Sequence, residues 1–355
     1  MGDKGMFVWV QVLRGLAASL VVLHHYLASQ IERGAVISRW VENLGGSGVD
    51  IFFVISGFIM MITTSNADKH PAAGDFLKRR LVRVVPLYWV LTIIAFAMVL
   101  AAGSNVNTVV TPEKFFMSML FLPYNEAAID MGMLAHKAYV IPMAWTLTYE
   151  WYFYLVFALT LAIGLRPTGR LMFMTAWFAV TVGVGLLLQP TSLIAQVVIH
   201  PMVFEFLLGC LIAILYTKGY RIGGLAALIL AAAGMFVLSN VFHHTSYDRT
   251  LYWGLAAFAL ITAATLYRGS QNDSAAIRPF TWIGDISYSL YLSHFFTLAL
   301  FVRLQKRFEF LSDSFAPVTM VAFLTLVVLV AAGCYYCIEE PARKIFAERR
   351  RLRTA

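Results

Sequence analysis

Arg14 and His25 stand eleven residues apart inside one apolar run, residues 7–29. On an α-helix that separation falls about 20° short of or past three full turns and rises about 16 Å, so the two side chains share a face. An ionisable residue inside an apolar span is costly and is a functional candidate by default. Histidine titrates near neutrality and removes a proton from a hydroxyl when a carboxylate orients it. Two carboxylates are placed for that role: Asp50, at the mouth of the second apolar run, and Glu150, in Trp145-Thr-Leu-Thr-Tyr-Glu150. Thr146 and Glu150 are i, i+4 neighbours on one helix face. Structural ion pairing is the competing reading of this set. His24 is turned about 100° from His25 and reads as structural.

A second group is basic. Lys78-Arg79-Arg80-Leu-Val-Arg83 leads into the apolar stretch from Val84, with Arg80 and Arg83 one turn apart. With Arg14 they have the chemistry to bind a phosphorylated ligand, although basic residues before a span also serve as topology signals. Tyr291 and His294 share a face of a further span, and Glu205 lies deep in another. From spacing alone these three read as lining residues. Gly45-Gly-Ser-Gly48 lacks the Lys-Ser/Thr ending of a phosphate loop and reads as a turn.

The elements that must position these residues are membrane helices. The chain has 355 residues, 60% of them apolar, with 27 basic and 19 acidic side chains and a net charge of +8. That composition excludes a water-soluble domain. Ten runs are long enough to read as spans: 7–29, 48–65, 84–102, 142–163, 171–188, 196–217, 222–241, 251–267, 284–303 and 316–337. The segment at Phe115–Leu122 is apolar but too short to cross. Counting Lys and Arg on alternate sides gives 18 on the side holding both termini and 8 on the other, with Arg14 inside a span. The positive-inside bias then makes both termini cytoplasmic, and accounts for the net charge without nucleic acid. No cleaved leader is expected. Cys210, Cys334 and Cys337 lie in apolar runs with no disulfide framework, and no metal site is expected. The reading is an all-α polytopic bundle over residues 1–341 with a basic cytoplasmic tail over 342–355.

Seven segments, in order, resemble the acyltransferase-3 family of bacterial membrane O-acyltransferases. They are Arg14-Gly-Leu-Ala-Ala through His25, Gly48-Val-Asp-Ile-Phe-Phe-Val-Ile-Ser-Gly57-Phe, Arg80-Leu-Val-Arg83-Val-Val-Pro86, Trp145-Thr-Leu-Thr-Tyr-Glu150, Glu205-Phe-Leu-Leu-Gly209, Ile286-Ser-Tyr-Ser-Leu-Tyr-Leu-Ser-His294 and Glu339-Glu-Pro-Ala-Arg343. The resemblance is nearest to the exopolysaccharide acetyltransferases of that family. It implies transfer of an acyl group, usually acetyl from cytosolic acetyl-CoA, to a sugar hydroxyl of a surface polysaccharide or its lipid-linked precursor. No permanently bound cofactor is implied, and the setting is the bacterial cytoplasmic (inner) membrane. Carried over by position, the family's arginine–histidine motif falls on Arg14 and His25, its paired arginines on Arg80 and Arg83, and its Ser-x-x-x-Glu element on Thr146 and Glu150. Threonine replaces the serine here, which keeps the hydroxyl and weakens a role as acyl carrier. Some relatives carry a fused extracytoplasmic domain, and none is expected here.

Taken together, His25, Glu150 and Asp50 are the catalytic candidates. Arg14, Arg80 and Arg83 are the donor-binding candidates, with Thr146, Trp145, Tyr291 and His294 in support. Two other functions also need polar residues in a membrane: a transporter or flippase of a lipid-linked or charged substrate, and a non-catalytic partner in polysaccharide export. Many transporters carry repeated halves, and no repeat is visible in this sequence.

Overall fold

The computed structural model describes residues 7–31, 45–65, 72–102, 110–124, 138–240, 246–269, 274–308 and 317–354, together with Ser38 and Leu311. Lys4, Arg33, Arg39, Lys69 and Lys137 of the charge count lie outside the described residues. The elements are α1 (Val8–Ile31), α2 (Gly48–Thr64), α3 (Ala73–Ala102), α4 (Pro112–Met119), α5 (Ala144–Ala162), α6 (Pro167–Leu188), α7 (Leu193–Val198), α8 (Val203–Thr217), α9 (Gly224–Asn240), α10 (Ser246–Arg249), α11 (Leu255–Leu266), α12 (Arg278–Asp285), α13 (Ser287–Arg307), α14 (Pro317–Cys334) and α15 (Glu340–Thr354). Single π-helical turns join α10 to α11 and α14 to α15. Among the described residues the regular structure is all helical, with one isolated bridge between Ile222 and Tyr267.

Each of the ten apolar runs is helical, but not each is one straight helix. Residues 196–217 are broken between α7 and α8, and 284–303 includes a 70° bend between α12 and α13. Among the described residues, five helical stretches are long and apolar enough to cross a membrane, and the bent α12–α13 pair makes a sixth when taken as one span. At 17 residues α2 and α9 fall short of the roughly 20 that a straight crossing needs. The short apolar segment before Leu122 forms the eight-residue α4. Thr111 caps it by accepting from the Lys114 amide at 3.1 Å, with Pro112 in the first turn, where its missing N–H costs nothing.

The chain divides into two compact units: Met1–Thr63 with Leu208–Cys337, and Thr64–Leu207 with Ile338–Ala355. In the first, α1 packs against α11, α12 and α13, and α13 against α14. Ala18, Val22 and Tyr26 recur every four residues and so form one stripe along α1. That stripe meets Ile286, Leu290 and Phe301 on one side and Phe323, Val327 and Ala331 on the other. Tyr26 stacks on Phe323 with ring centroids 4.5 Å apart. Lipid is as apolar as these side chains, so close packing rather than exclusion of water holds the stripe together. Two glycines permit the approach. A Cβ on Gly48 would lie 2.4 Å from the Ala17 carbonyl oxygen, and one on Gly284 would lie 2.1 Å from that of Gln11.

In the second unit, α5 packs against α3, α6 and α7, and α15 against α3. Phe153 of α5 stacks on Phe206 at 4.2 Å. The final carbonyls of α4 are satisfied from α3: the Tyr88 hydroxyl donates to Ser118 O at 2.7 Å and Trp89 Nε1 to Met119 O at 3.0 Å. Arg170, just ahead of the apolar run 171–188, is buried. It donates to Leu165 O at 2.7 Å and to Thr64 O at 3.0 Å, and so satisfies carbonyls at or just past two helix ends. The tail is helical, as α15, with Lys344 paired to Glu340 at 3.0 Å.

Candidate active site

Of the residues singled out by sequence, Arg14, His25, Asp50, Tyr291 and His294 belong to the first unit, and Arg80, Arg83, Trp145, Thr146 and Glu150 to the second.

The first unit gathers its polar residues along α1. Near the start of that helix, Arg14 donates to Gln11 Oε1 at 2.8 Å and to Ser287 Oγ at 3.0 Å, while Gln11 Nε2 donates to Asp285 at 2.6 Å. This network ties α1 to the bend between α12 and α13, where Gly284 brings the backbones together. Three turns along, His25 Nδ1 lies 2.9 Å from Val21 O. A carbonyl only accepts, so Nδ1 carries the hydrogen and Nε2 is the basic nitrogen. The carboxylate expected from Asp50 is therefore not what orients this ring. Asp50 is fully buried and held by Arg249 through a fork, Nε to Oδ1 at 3.1 Å and Nη2 to Oδ2 at 2.9 Å. Arg249 also donates to Gly46 O at 3.3 Å and lies 5.0 Å from the Trp253 ring. A Cβ on Gly45 would lie 2.8 Å from the His24 Cβ, and one on Gly46 would lie 3.3 Å from the Trp253 ring, so this turn passes closely over both. His294 is fully buried, with its ring 5.0 Å from His25 and Nδ1 2.6 Å from Tyr291 O.

The second unit assembles a different group. Arg80 sits with its guanidinium carbon 5.5 Å from the Phe76 ring, one turn earlier on α3, and 5.5 Å from the Tyr154 ring on α5. The Tyr154 hydroxyl donates to Glu150 Oε1, and that carboxylate is within electrostatic reach of Arg80. A cation between two aromatic faces with a nearby carboxylate is held in place without a direct ion pair. Arg83, one turn on, has no carboxylate partner among the described residues. Thr146 is buried and donates to Met143 O at 3.1 Å, and Trp145 packs edge-on against Tyr149 at 5.9 Å. The start of α5 is fixed by a second relay. Thr148 uses its one proton on Phe121 O at 2.7 Å, so Tyr139 must donate to Thr148 Oγ1, at 2.6 Å. Burial raises the Tyr139 phenol above its ordinary pKa.

Three residues in these groups were not anticipated. Arg249 is one, and Trp253 follows it at i+4, the spacing of a helical cation–π pair. Tyr154 and Phe76 stand four residues from Glu150 and Arg80, and the same spacing would have flagged both.

Comparison with known proteins gives the family. The model of an acyltransferase domain, that of the acyltransferase-3 family, matches residues 7–338. The exopolysaccharide production protein ExoZ of Rhizobium meliloti (strain 1021) is 30% identical over 301 residues, which are 84% of this chain and 89% of that protein. The O-acetyltransferase OatA of Staphylococcus aureus (strain NCTC 8325 / PS 47) is 25% identical over 371 residues, covering 94% of this chain and 56% of OatA. This chain thus spans little more than half of OatA. No solved structure matches. With a family model covering nearly the whole chain and a relative of this identity along most of both lengths, the chain belongs to the acyltransferase-3 family of membrane acyltransferases.

Proposed function

We propose that this protein moves an acyl group, most simply acetyl, from cytosolic acyl-CoA to a sugar hydroxyl of an exopolysaccharide or other surface glycan, or of its lipid-linked precursor. The observation that carries the reading is His25. Its Nδ1 is pinned to the Val21 carbonyl, which leaves Nε2 as a base fixed in direction inside an apolar bundle. A sugar hydroxyl is a poor nucleophile until such a base takes its proton. The names of the relatives ExoZ and OatA support a polysaccharide acceptor and an acetyl group respectively.

Arg83 and Arg80 supply the cationic contacts for the CoA phosphates, since a guanidinium matches phosphate geometry through two parallel N–H bonds. Arg14 is the third donor-binding candidate. Two of its five N–H groups are on Gln11 and Ser287. Glu150 is the catalytic carboxylate of the second unit, with its charge balanced by Arg80. Asp50 acts through its pairing with Arg249. Thr146, Trp145 and Tyr291 support these groups. The chain lies in the bacterial inner membrane as ten spans with both termini cytoplasmic, which puts the arginines toward the CoA pool and His25 toward the outer face. The test is chemical analysis of the surface glycan from a deletion strain. Loss of O-acyl ester, restored by the wild-type gene and not by His25→Ala, supports the reading. Unchanged ester content refutes it.

A further inference from the structure

Tyr154 joins the two charged groups of the second unit. It is buried, its hydroxyl donates to Glu150 Oε1, and the Arg80 guanidinium carbon lies 5.5 Å from its ring centroid. The ring is clamped in turn, edge-on to Trp151 at 5.4 Å and to Phe76 at 6.0 Å. Arg80 is half-buried and makes no hydrogen bond or ion pair among the described residues. Its contacts are the Phe76 and Tyr154 rings, which attract a guanidinium without using any of its five N–H donors. The charges that act on it are Glu150, which attracts, and Arg83 and Arg79, which repel.

Glu150 and Arg80 are opposite charges within reach of each other in an apolar bundle, where their attraction is stronger than in water. A guanidinium and a carboxylate so placed close into a fork of parallel N–H bonds, as Arg249 and Asp50 do in the first unit. A closed fork would commit the donors of Arg80 and leave none for a phosphate. Here the Tyr154 hydroxyl takes one carboxylate oxygen, and its ring takes the cation. We propose that Tyr154 is a positioning residue for donor binding: by holding Glu150 and Arg80 at separate points of one rigid side chain, it keeps the Arg80 fork open for a phosphate of the acyl-CoA. The inference rests on the reading of Arg80 as a donor contact. An arriving phosphate also relieves the repulsion from Arg79 and Arg83. Without the hydroxyl, the carboxylate is released and competes with the phosphate for Arg80.

The test is a double-mutant cycle on CoA affinity, measured by calorimetry on the full-length folded protein in micelles. It compares wild type, Tyr154→Phe, Glu150→Gln and the pair. Phenylalanine keeps the ring but gives Glu150 no donor, so the carboxylate pairs with Arg80. CoA affinity should then fall about ten- to a hundred-fold, the worth of a charge-assisted contact. Glutamine cannot form that ion pair. Glu150→Gln should therefore restore the lost affinity in the Tyr154→Phe background and raise it much less in the wild-type background. A merely structural Tyr154 predicts no such rescue, because the two substitutions would act independently. Unchanged affinity in Tyr154→Phe, or an equal effect of Glu150→Gln in both backgrounds, overturns the proposal. If Tyr154→Phe does not fold, Tyr154→Met takes its place in the cycle, with the same rescue expected. Arg80→Ala is measured alongside. Wild-type CoA affinity in Arg80→Ala overturns the donor role of Arg80, and this proposal with it. A weakened Arg80→Ala beside an additive cycle overturns this proposal alone.

Discussion

Replacing Arg249 by alanine leaves the Asp50 carboxylate, with no exposed surface, without the two N–H groups that hold it. Removing one partner of a buried ion pair costs about 3–5 kcal/mol, because the remaining charge is stranded. The Arg249 side chain is 19% exposed, so some water reaches the pair and the lower end, about 3 kcal/mol, is expected. Arg249→Lys keeps the charge but loses the fork, and should fall between, at about 1–2 kcal/mol. Asp50→Asn beside Arg249→Ala should recover part of the loss, since an amide strands no charge. The assay is SDS-titrated unfolding in micelles, run as a double-mutant cycle over the two single variants and the pair. The expected coupling is about 2 kcal/mol or more. Single variants that each cost under about 0.5 kcal/mol, or costs that simply add, would show that the fork is incidental and that Asp50 is free for the role the sequence suggested.

The remaining predictions concern individual residues. Arg83→Ala should weaken CoA binding about ten- to a hundred-fold, the loss of one charge-assisted contact, measured by calorimetry on folded protein; unchanged affinity would reduce Arg83 to a topology signal. His25→Ala should keep CoA binding and lose transfer by at least about 10²-fold, while His24→Ala keeps most activity; an inactive His24 variant beside an active His25 variant would reverse the assignment. Gly284→Ala should lower folded yield and shift the α12–α13 bend, because its Cβ would meet Gln11 O at 2.1 Å; wild-type expression and activity would mean that the two backbones do not meet there.

The helices themselves were legible because a membrane span announces itself by length and apolarity, and each run from 7–29 to 316–337 is helical. The breaks were not. The interruption at 199–202 contains His200-Pro201, and a proline there ends a helix locally. The bend at Ile286 follows Gly284-Asp285, where contact with Gln11 fixes the backbone. Both signals were outweighed by the apolar residues around them. Arg14 with Ser287, and His25 with His294, are brought together from opposite ends of the sequence, so spacing along one helix revealed which face mattered but not what would meet it. The Asp50 expectation failed for a related reason. The nearest competing cation, Arg249, lies 199 residues away, and a guanidinium fork holds a carboxylate more firmly than a neutral imidazole does. Tyr154 beneath Arg80 was within reach of a local argument and was passed over, since an aromatic in an apolar run reads first as packing.

The central claim is that this chain transfers acyl groups from CoA to a glycan. Purified protein in liposomes, given labelled acetyl-CoA on one side and de-esterified surface polysaccharide on the other, tests it directly. The account predicts alkali-labile label on the polysaccharide, formed only when donor and acceptor face opposite sides, and abolished in His25→Ala. Label that stays on CoA with the wild-type protein, or that reaches the polysaccharide equally well with His25→Ala, would contradict it.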